Sequence, residues 1–192
     1  MNRTLCRFLT AAAIAVASAT PFGCTGDNTY STYPCRFVFD TAQHASSGAL
    51  LSAVNPLSPG IFCKVTKVMK GGASYYRFAT TAGLSDDVIF TAVDQRTTVT
   101  IGMNNGLVFG YANLAAESTF YGYDTECPNC FDPDAIPVTA HTLALRSTGI
   151  AVCPTCHREY NLNTGGNITK GDQGKGLTRY HASYNGSVVA IV

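Results

Sequence analysis

Charge is scarce in this sequence. Only 13% of its 192 residues are Asp, Glu, Lys or Arg, about half the share in an ordinary soluble protein. With a formal net charge of +1 and no block of basic residues, the chain lacks the electrostatic footprint that phosphate backbones require. Nucleic acid is thereby excluded as its partner. Trp is absent. Past roughly the first twenty residues, no apolar run is long enough to span a bilayer as a helix. Helical periodicity is also sparse, and only Ala42–Val54 has the spacing of a short helix. The 46% hydrophobic content rules out intrinsic disorder. The length suffices for one domain with a real core and is short for two.

What is present belongs to strands and turns: ten Tyr, ten Phe and eighteen Gly. Arg36–Phe39, Gly60–Val68, Ser74–Thr80, Asp87–Val93, Thr97–Met103 and Leu107–Tyr111 are rich in β-branched and aromatic residues. Gly71-Gly72 reads as a hairpin turn, and Asn104-Asn105-Gly106 offers the positive φ angles of a tight turn before Leu107. Leu177–Tyr184, Asn185-Gly186 and Ser187–Val192 repeat the device at the C-terminus. The expected fold is all-β, an antiparallel sandwich or barrel.

Residues 1–23 read as a signal peptide. Arg3 and Arg7 form a positive start, and Phe8–Ala19 is a short Ala-rich apolar stretch. Two processing sites compete: Ala17-Ser18-Ala19 for ordinary cleavage, and Gly23-Cys24 as the end of an imperfect lipobox, with Cys24 lipidated. Removal of Arg3 and Arg7 leaves eleven bases against twelve acids, a charge of −1. Residues 24–34 are polar and suit a tether; residues 35–192 form the domain. Of the eight Cys, Cys6 lies in the signal and Cys24 at its end. Cys35 and Cys63 are left to pair as a disulfide in an oxidising compartment.

The remaining four carry the chemistry. Cys127-Pro128-Asn129-Cys130 and Cys153-Pro154-Thr155-Cys156 are matched C-P-x-C knuckles. A two-residue spacer lets both thiolates of a knuckle converge on one ion, with backbone N–H groups turned to the sulfurs. Two knuckles together supply a tetrahedron of soft ligands. A pair of disulfides is the alternative in an exported chain. Zinc is the default for a closed four-thiolate site; a [2Fe–2S] cluster or a single rubredoxin-like iron are the other occupants. The signal lacks the twin-arginine pair expected of a chain exported with an assembled cluster.

Val152–Gly165 (VCPTCHREYNLNTG) resembles the second half of a Rieske iron–sulfur domain, whose pattern is Cys-Pro-x-His-Gly, an aromatic residue, a short segment and Gly. Cys153 matches the family's second cysteine, Tyr160 its aromatic and Thr164-Gly165 its turn. Leu177–Tyr180 and the Asn185-Gly186 hairpin also match the leucine, strand and closing hairpin that the family carries after its cluster loop. The resemblance covers residues 107–192 and implies a Rieske-like β-domain with a metal subdomain over about 120–170. The chain departs from it at the ligands: Cys156 stands at the histidine position, the first loop is C-x-x-C instead of C-x-H, and His157 occupies a glycine position. Without the two imidazoles, the resemblance implies a four-thiolate site on a Rieske-like scaffold.

His157 is either a donor to a cysteine sulfur or an ordinary exposed histidine. His44, His141 and His181 are isolated. Asp86-Asp87 reads as the top of a turn, Asp132 and Asp134 as part of the loop after the first knuckle, and Asn161–Gly176 as a plain glycine-rich loop. The expected function is a non-enzymatic lipoprotein of the bacterial cell envelope, periplasmic or outer-membrane, held to the membrane by lipid and stapled by zinc. The alternative is an electron carrier whose redox partner is unnamed. Rieske oxygenases carry a second, large domain, and no chain remains here for one.

Overall fold

The computed structural model describes residues 29–114 and 118–192. The expected signal peptide, with both candidate processing sites, Cys24 and the start of the expected tether, lies outside the described residues. In chain order the elements are β1 (Phe37–Asp40), α1 (Gly48–Ala53), β2 (Phe62–Lys70), β3 (Ala73–Thr80), β4 (Ser85–Ile89), α2 (Ala92–Arg96), β5 (Leu107–Tyr111) and β6 (Phe120–Asp124). After these come β7 (Ala144–Leu145), β8 (Ile150–Val152), β9 (Glu159–Asn161), a 3-10 turn (Leu162–Thr164), β10 (Asn167–Lys170), β11 (Arg179–Tyr180), β12 (Ala182–Tyr184) and β13 (Val188–Ile191). The fold is mainly β, with antiparallel sheets and, among the described residues, two short helices, as the composition predicts.

Among the described residues three sheets form: β11-β6-β5-β2-β3-β4, β1-β13-β12 and β10-β9-β8-β7. The largest has a core on each face of its central strands. Successive side chains of a strand point to opposite faces. Cys63 and Val65 of β2 and Leu107 and Phe109 of β5 therefore face one core, shared with Phe37, Phe39, Val189 and Ile191 of the three-stranded sheet. Phe62 of β2, Val108 of β5 and Tyr123 of β6 face the other, which contains both cysteine knuckles. That is why the run Leu107-Val108-Phe109 is apolar without alternation. Gly110 in the same strand leaves no room for a side chain: a Cβ there would run into the Ile61 carbonyl oxygen.

Several local expectations need correction. The β2–β3 turn is as expected, with Gly71 and Gly72 at φ of 55° and 80°. The helix over Ala42–Val54 shrinks to Gly48–Ala53, because Ser47 caps it by accepting the Leu50 N–H. The expected strand Asp87–Val93 stops at Ile89, and Ala92–Arg96 is helical. Its Thr91 and Asp94 form a capping box, a start signal legible in the sequence as Thr-x-x-Asp. Thr97–Met103 is not a strand and contributes a single bridge, Thr100 with Arg36. Asp86 and Asp87 lie within β4: Asp86 accepts from Ser47 and the Ala49 N–H, and Asp87 pairs with Arg77 and Lys70. Asn161–Gly176 holds a 3-10 turn and β10 instead of plain loop. The strand predicted over Leu177–Tyr184 divides at His181, passing from the six-stranded to the three-stranded sheet.

Cys35 and Cys63 are not bridged; both are free and buried. Each thiol has its own backbone acceptor. The Cys35 sulfur donates to the carbonyls of Thr100 and Ile191, and that of Cys63 to Lys64, all at 3.6 Å. Burial pushes the Cys35 thiol up to about 11 and raises that of Cys63 as well. These two residues are small core hydrophobes here, and they lend no support to an oxidising compartment.

Candidate metal centre

The two knuckles follow strands of different sheets, β6 of the six-stranded sheet and β8 of the four-stranded one. Cys127 lies three residues past the end of β6, and its N–H donates to the His141 carbonyl at 3.0 Å. Cys153 to Cys156 occupy the turn of the β8–β9 hairpin, closed by the Cys153 N–H on the Arg158 carbonyl at 3.0 Å. Pro128 and Pro154 each take the second position of their turn, where a fixed φ is pre-set. The loops then repeat one bond: the Phe131 N–H to the Cys127 carbonyl at 2.9 Å, and the His157 N–H to the Cys153 carbonyl at 3.0 Å. In the second knuckle the Cys156 N–H also points to the Cys153 sulfur, at 3.5 Å.

These loops bring the four predicted ligands together. The sulfurs of Cys127, Cys130, Cys153 and Cys156 all lie within 4.8 Å of one another. Two contacts cross between knuckles: Cys127 to Cys156 at 3.7 Å and Cys130 to Cys153 at 3.8 Å. Four sulfurs placed tetrahedrally about 2.3 Å from one ion have edges of about 3.8 Å. A disulfide needs about 2.05 Å, and all four cysteines are free. Cys127 and Cys153 are fully buried, whereas Cys130 and Cys156 are partly exposed. The set has a closed back and a solvent-facing edge.

The surroundings treat the sulfurs unequally. Burial raises the Cys127 thiol, opposed by hydrogen bonds from Tyr160 and the Asn129 N–H. Cys130 is raised by burial and by the neighbouring sulfurs of Cys156, Cys127 and Cys153. Burial would raise Cys156 too, but the Arg158 backbone N–H and guanidinium outweigh it and bring the thiol down to about 6. Two unit negative charges about 4 Å apart repel by about 4 kcal/mol at an effective dielectric constant of 20. Four thiolates at these separations therefore call for a cation.

The hydrogen bonding behind the sulfurs corrects one assignment. His157 is exposed and its ring makes no hydrogen bond to a sulfur; it contributes backbone, at a φ of 58°. The side chain that does reach a sulfur is Tyr160, whose hydroxyl lies 3.3 Å from Cys127 Sγ. Asn129 Nδ2 donates to that hydroxyl at 2.9 Å, leaving the phenolic proton for the sulfur. Asn129 also exchanges hydrogen bonds with the Lys175 backbone, at 2.7 and 2.9 Å, which ties the first knuckle to the glycine-rich loop. Below Cys127, the fully buried Glu126 accepts from Asn104, Thr142 and the His141 N–H. His141 in turn reaches Thr155 of the second knuckle at 3.0 Å. Tyr160 stands out in the sequence as an aromatic residue after the knuckle, but the bonds of Asn129 and Glu126 depend on loops far away in the chain and leave no local signal. No helix among the described residues is long and apolar enough to cross a membrane. No protein-family model, curated protein or solved structure matches this chain.

Proposed function

We propose that Cys127, Cys130, Cys153 and Cys156 hold one zinc ion, and that the ion is structural, stapling the β6–β7 connection to the β8–β9 hairpin. The observation that carries this reading is the common 4.8 Å envelope of four sulfurs with cross-knuckle edges of 3.7 and 3.8 Å. A [2Fe–2S] cluster places two thiolates on each of two irons, which separates them into two pairs across the bridging sulfides. These sulfurs do not divide that way, so the geometry favours one ion. A single rubredoxin-like iron shares that geometry and is the second reading, supported by the N–H groups turned to the sulfurs. Zinc is preferred because a closed thiolate tetrahedron suits it and it needs no redox chemistry.

The setting we infer is a non-enzymatic, Rieske-like envelope protein, exported on residues 1–23 and lipid-anchored at Cys24. Its support is the N-terminal sequence pattern, two cysteine loops of which one follows β6 of the six-stranded sheet and the other joins β8 to β9 of the four-stranded sheet, and Tyr160 at the family's aromatic position against Cys127. Metal analysis with a visible spectrum of protein purified without oxygen tests the centre. Zinc at one per chain in a colourless protein is expected. A coloured protein that bleaches on reduction selects iron, and metal-free protein defeats the reading. Labelling with a radioactive fatty acid, lost in a Cys24→Ser variant, tests the anchor.

A further inference from the structure

We propose that the centre is a site of reversible oxidation by peroxide, in which the ion is released and two disulfides form across the knuckles, Cys127–Cys156 and Cys130–Cys153. The proposal rests on the metal reading above and adds the order in which its four sulfurs react. Two observations carry it. First, the sulfurs contact each other across the knuckles at 3.7 and 3.8 Å, in two pairs that use each cysteine once. Closing either pair to a bond of about 2.05 Å needs an approach of about 1.7 Å, within reach of a turn at the tip of a hairpin. Second, each pair joins one fully buried sulfur to one at the solvent edge: Cys127 with Cys156, and Cys153 with Cys130. An oxidant arriving from water meets one member of each pair and leaves its partner protected, poised to resolve the product.

The steps balance. A thiolate at the edge, Cys130 or Cys156, attacks a peroxide oxygen. The O–O bond breaks, hydroxide leaves, and a sulfenic acid forms. The buried thiolate, Cys153 or Cys127, attacks that sulfur, an S–S bond forms, and the S–O bond breaks with loss of a second hydroxide. Each pair gives two electrons to one peroxide. Both pairs together consume two peroxides and four protons, yield four waters, and leave no thiolate to hold the divalent ion. A dithiol reductant reverses the bridges and restores the ligands. Because the new bonds join the same two loops that the ion joined, the chain keeps its cross-link.

The test uses the purified protein with its metal content measured first. Hydrogen peroxide is added in steps while a chromogenic chelator reads released zinc, and the products are digested without reduction for disulfide mapping by mass spectrometry. Expected are release of one zinc per chain, saturating near two peroxides per chain, and peptides linking 127 to 156 and 130 to 153. Dithiothreitol with added zinc then returns the original stoichiometry. Bridges within the knuckles (127–130 and 153–156), sulfinic acids at the edge cysteines, or retained zinc would each overturn the proposal while leaving the metal reading intact. A protein with no metal before peroxide is added would overturn both.

Discussion

Tyr160→Phe removes one oxygen atom and tests whether the hydrogen bonding behind the sulfurs supports the centre. The ring is fully buried and is retained, so no cavity opens. The variant loses the hydroxyl at 3.3 Å from Cys127 Sγ and one acceptor for Asn129, whose amide keeps its bond to the Lys175 carbonyl. A hydrogen bond to a charged group contributes about 1.5–3 kcal/mol. Loss of an outer partner of a metal ligand typically lowers metal affinity about 10- to 100-fold, or about 1.4–2.7 kcal/mol. The two routes agree on about 2 kcal/mol. For a chain of 192 residues that corresponds to a fall in melting temperature of about 4–8 °C in the zinc-loaded protein. Competition against a chelator of known affinity gives the metal term, and thermal melts with and without chelator give the stability. In the chelated protein Cys127 is a neutral thiol and a weaker acceptor, so the deficit should shrink to about 1 kcal/mol or less. Equal zinc affinity in variant and parent, or a deficit equally large without zinc, would refute the idea that this hydroxyl acts on a thiolate.

Three further outcomes rest on the same geometry. His157→Gly should stabilise the protein by up to about 1 kcal/mol and so raise its melting temperature, since φ is 58° there and glycine carries no left-handed penalty; His157→Ala should bring no such gain, and a fall in zinc affinity with both would restore the ring as a functional group. Gly110→Ala should destabilise the domain through its clash with the Ile61 carbonyl, by about 2 kcal/mol or more in a denaturant titration; a neutral result would show that β2 and β5 are more loosely paired than described. Burial would raise the Asp94 carboxyl, but the Thr91 hydroxyl and N–H, His44 and Tyr76 together hold it below the ordinary Asp value of 3.8. A carboxyl lowered in the folded state contributes stability above its unfolded value and loses it as pH falls through the folded one. Melting temperature should therefore drop below about pH 4, and Asp94→Asn should be less stable at neutral pH with a flatter acid limb. An unchanged acid limb in that variant would assign the pH dependence elsewhere.

The ligands were legible because their spacing is local: a C-P-x-C turn converges its own two sulfurs, and duplication of the turn points to one shared centre. The mainly β fold was legible for a similar reason, in Gly71-Gly72 and in the aromatic and β-branched runs of β2, β3 and β5. Legibility ended where a residue's role depends on distant chain. Cys35 and Cys63 invited a disulfide by elimination, yet each sulfur meets a backbone carbonyl of its own. His157 drew attention by adjacency to Cys156, while Tyr160, four residues beyond that cysteine, folds back across the β8–β9 hairpin to the other knuckle. Thr91 and Asp94 show a different kind of miss: the capping box was present in the sequence, but the β-branched run around it reads equally as strand.

X-ray absorption at the metal edge, on protein isolated without added metal, tests the shared centre most directly. One zinc per chain with four sulfur neighbours at about 2.3 Å and no second metal is the expected result. A metal–metal scattering path, a shell of nitrogen or oxygen ligands in place of sulfur, or metal-free protein with its four cysteines in disulfides would contradict it.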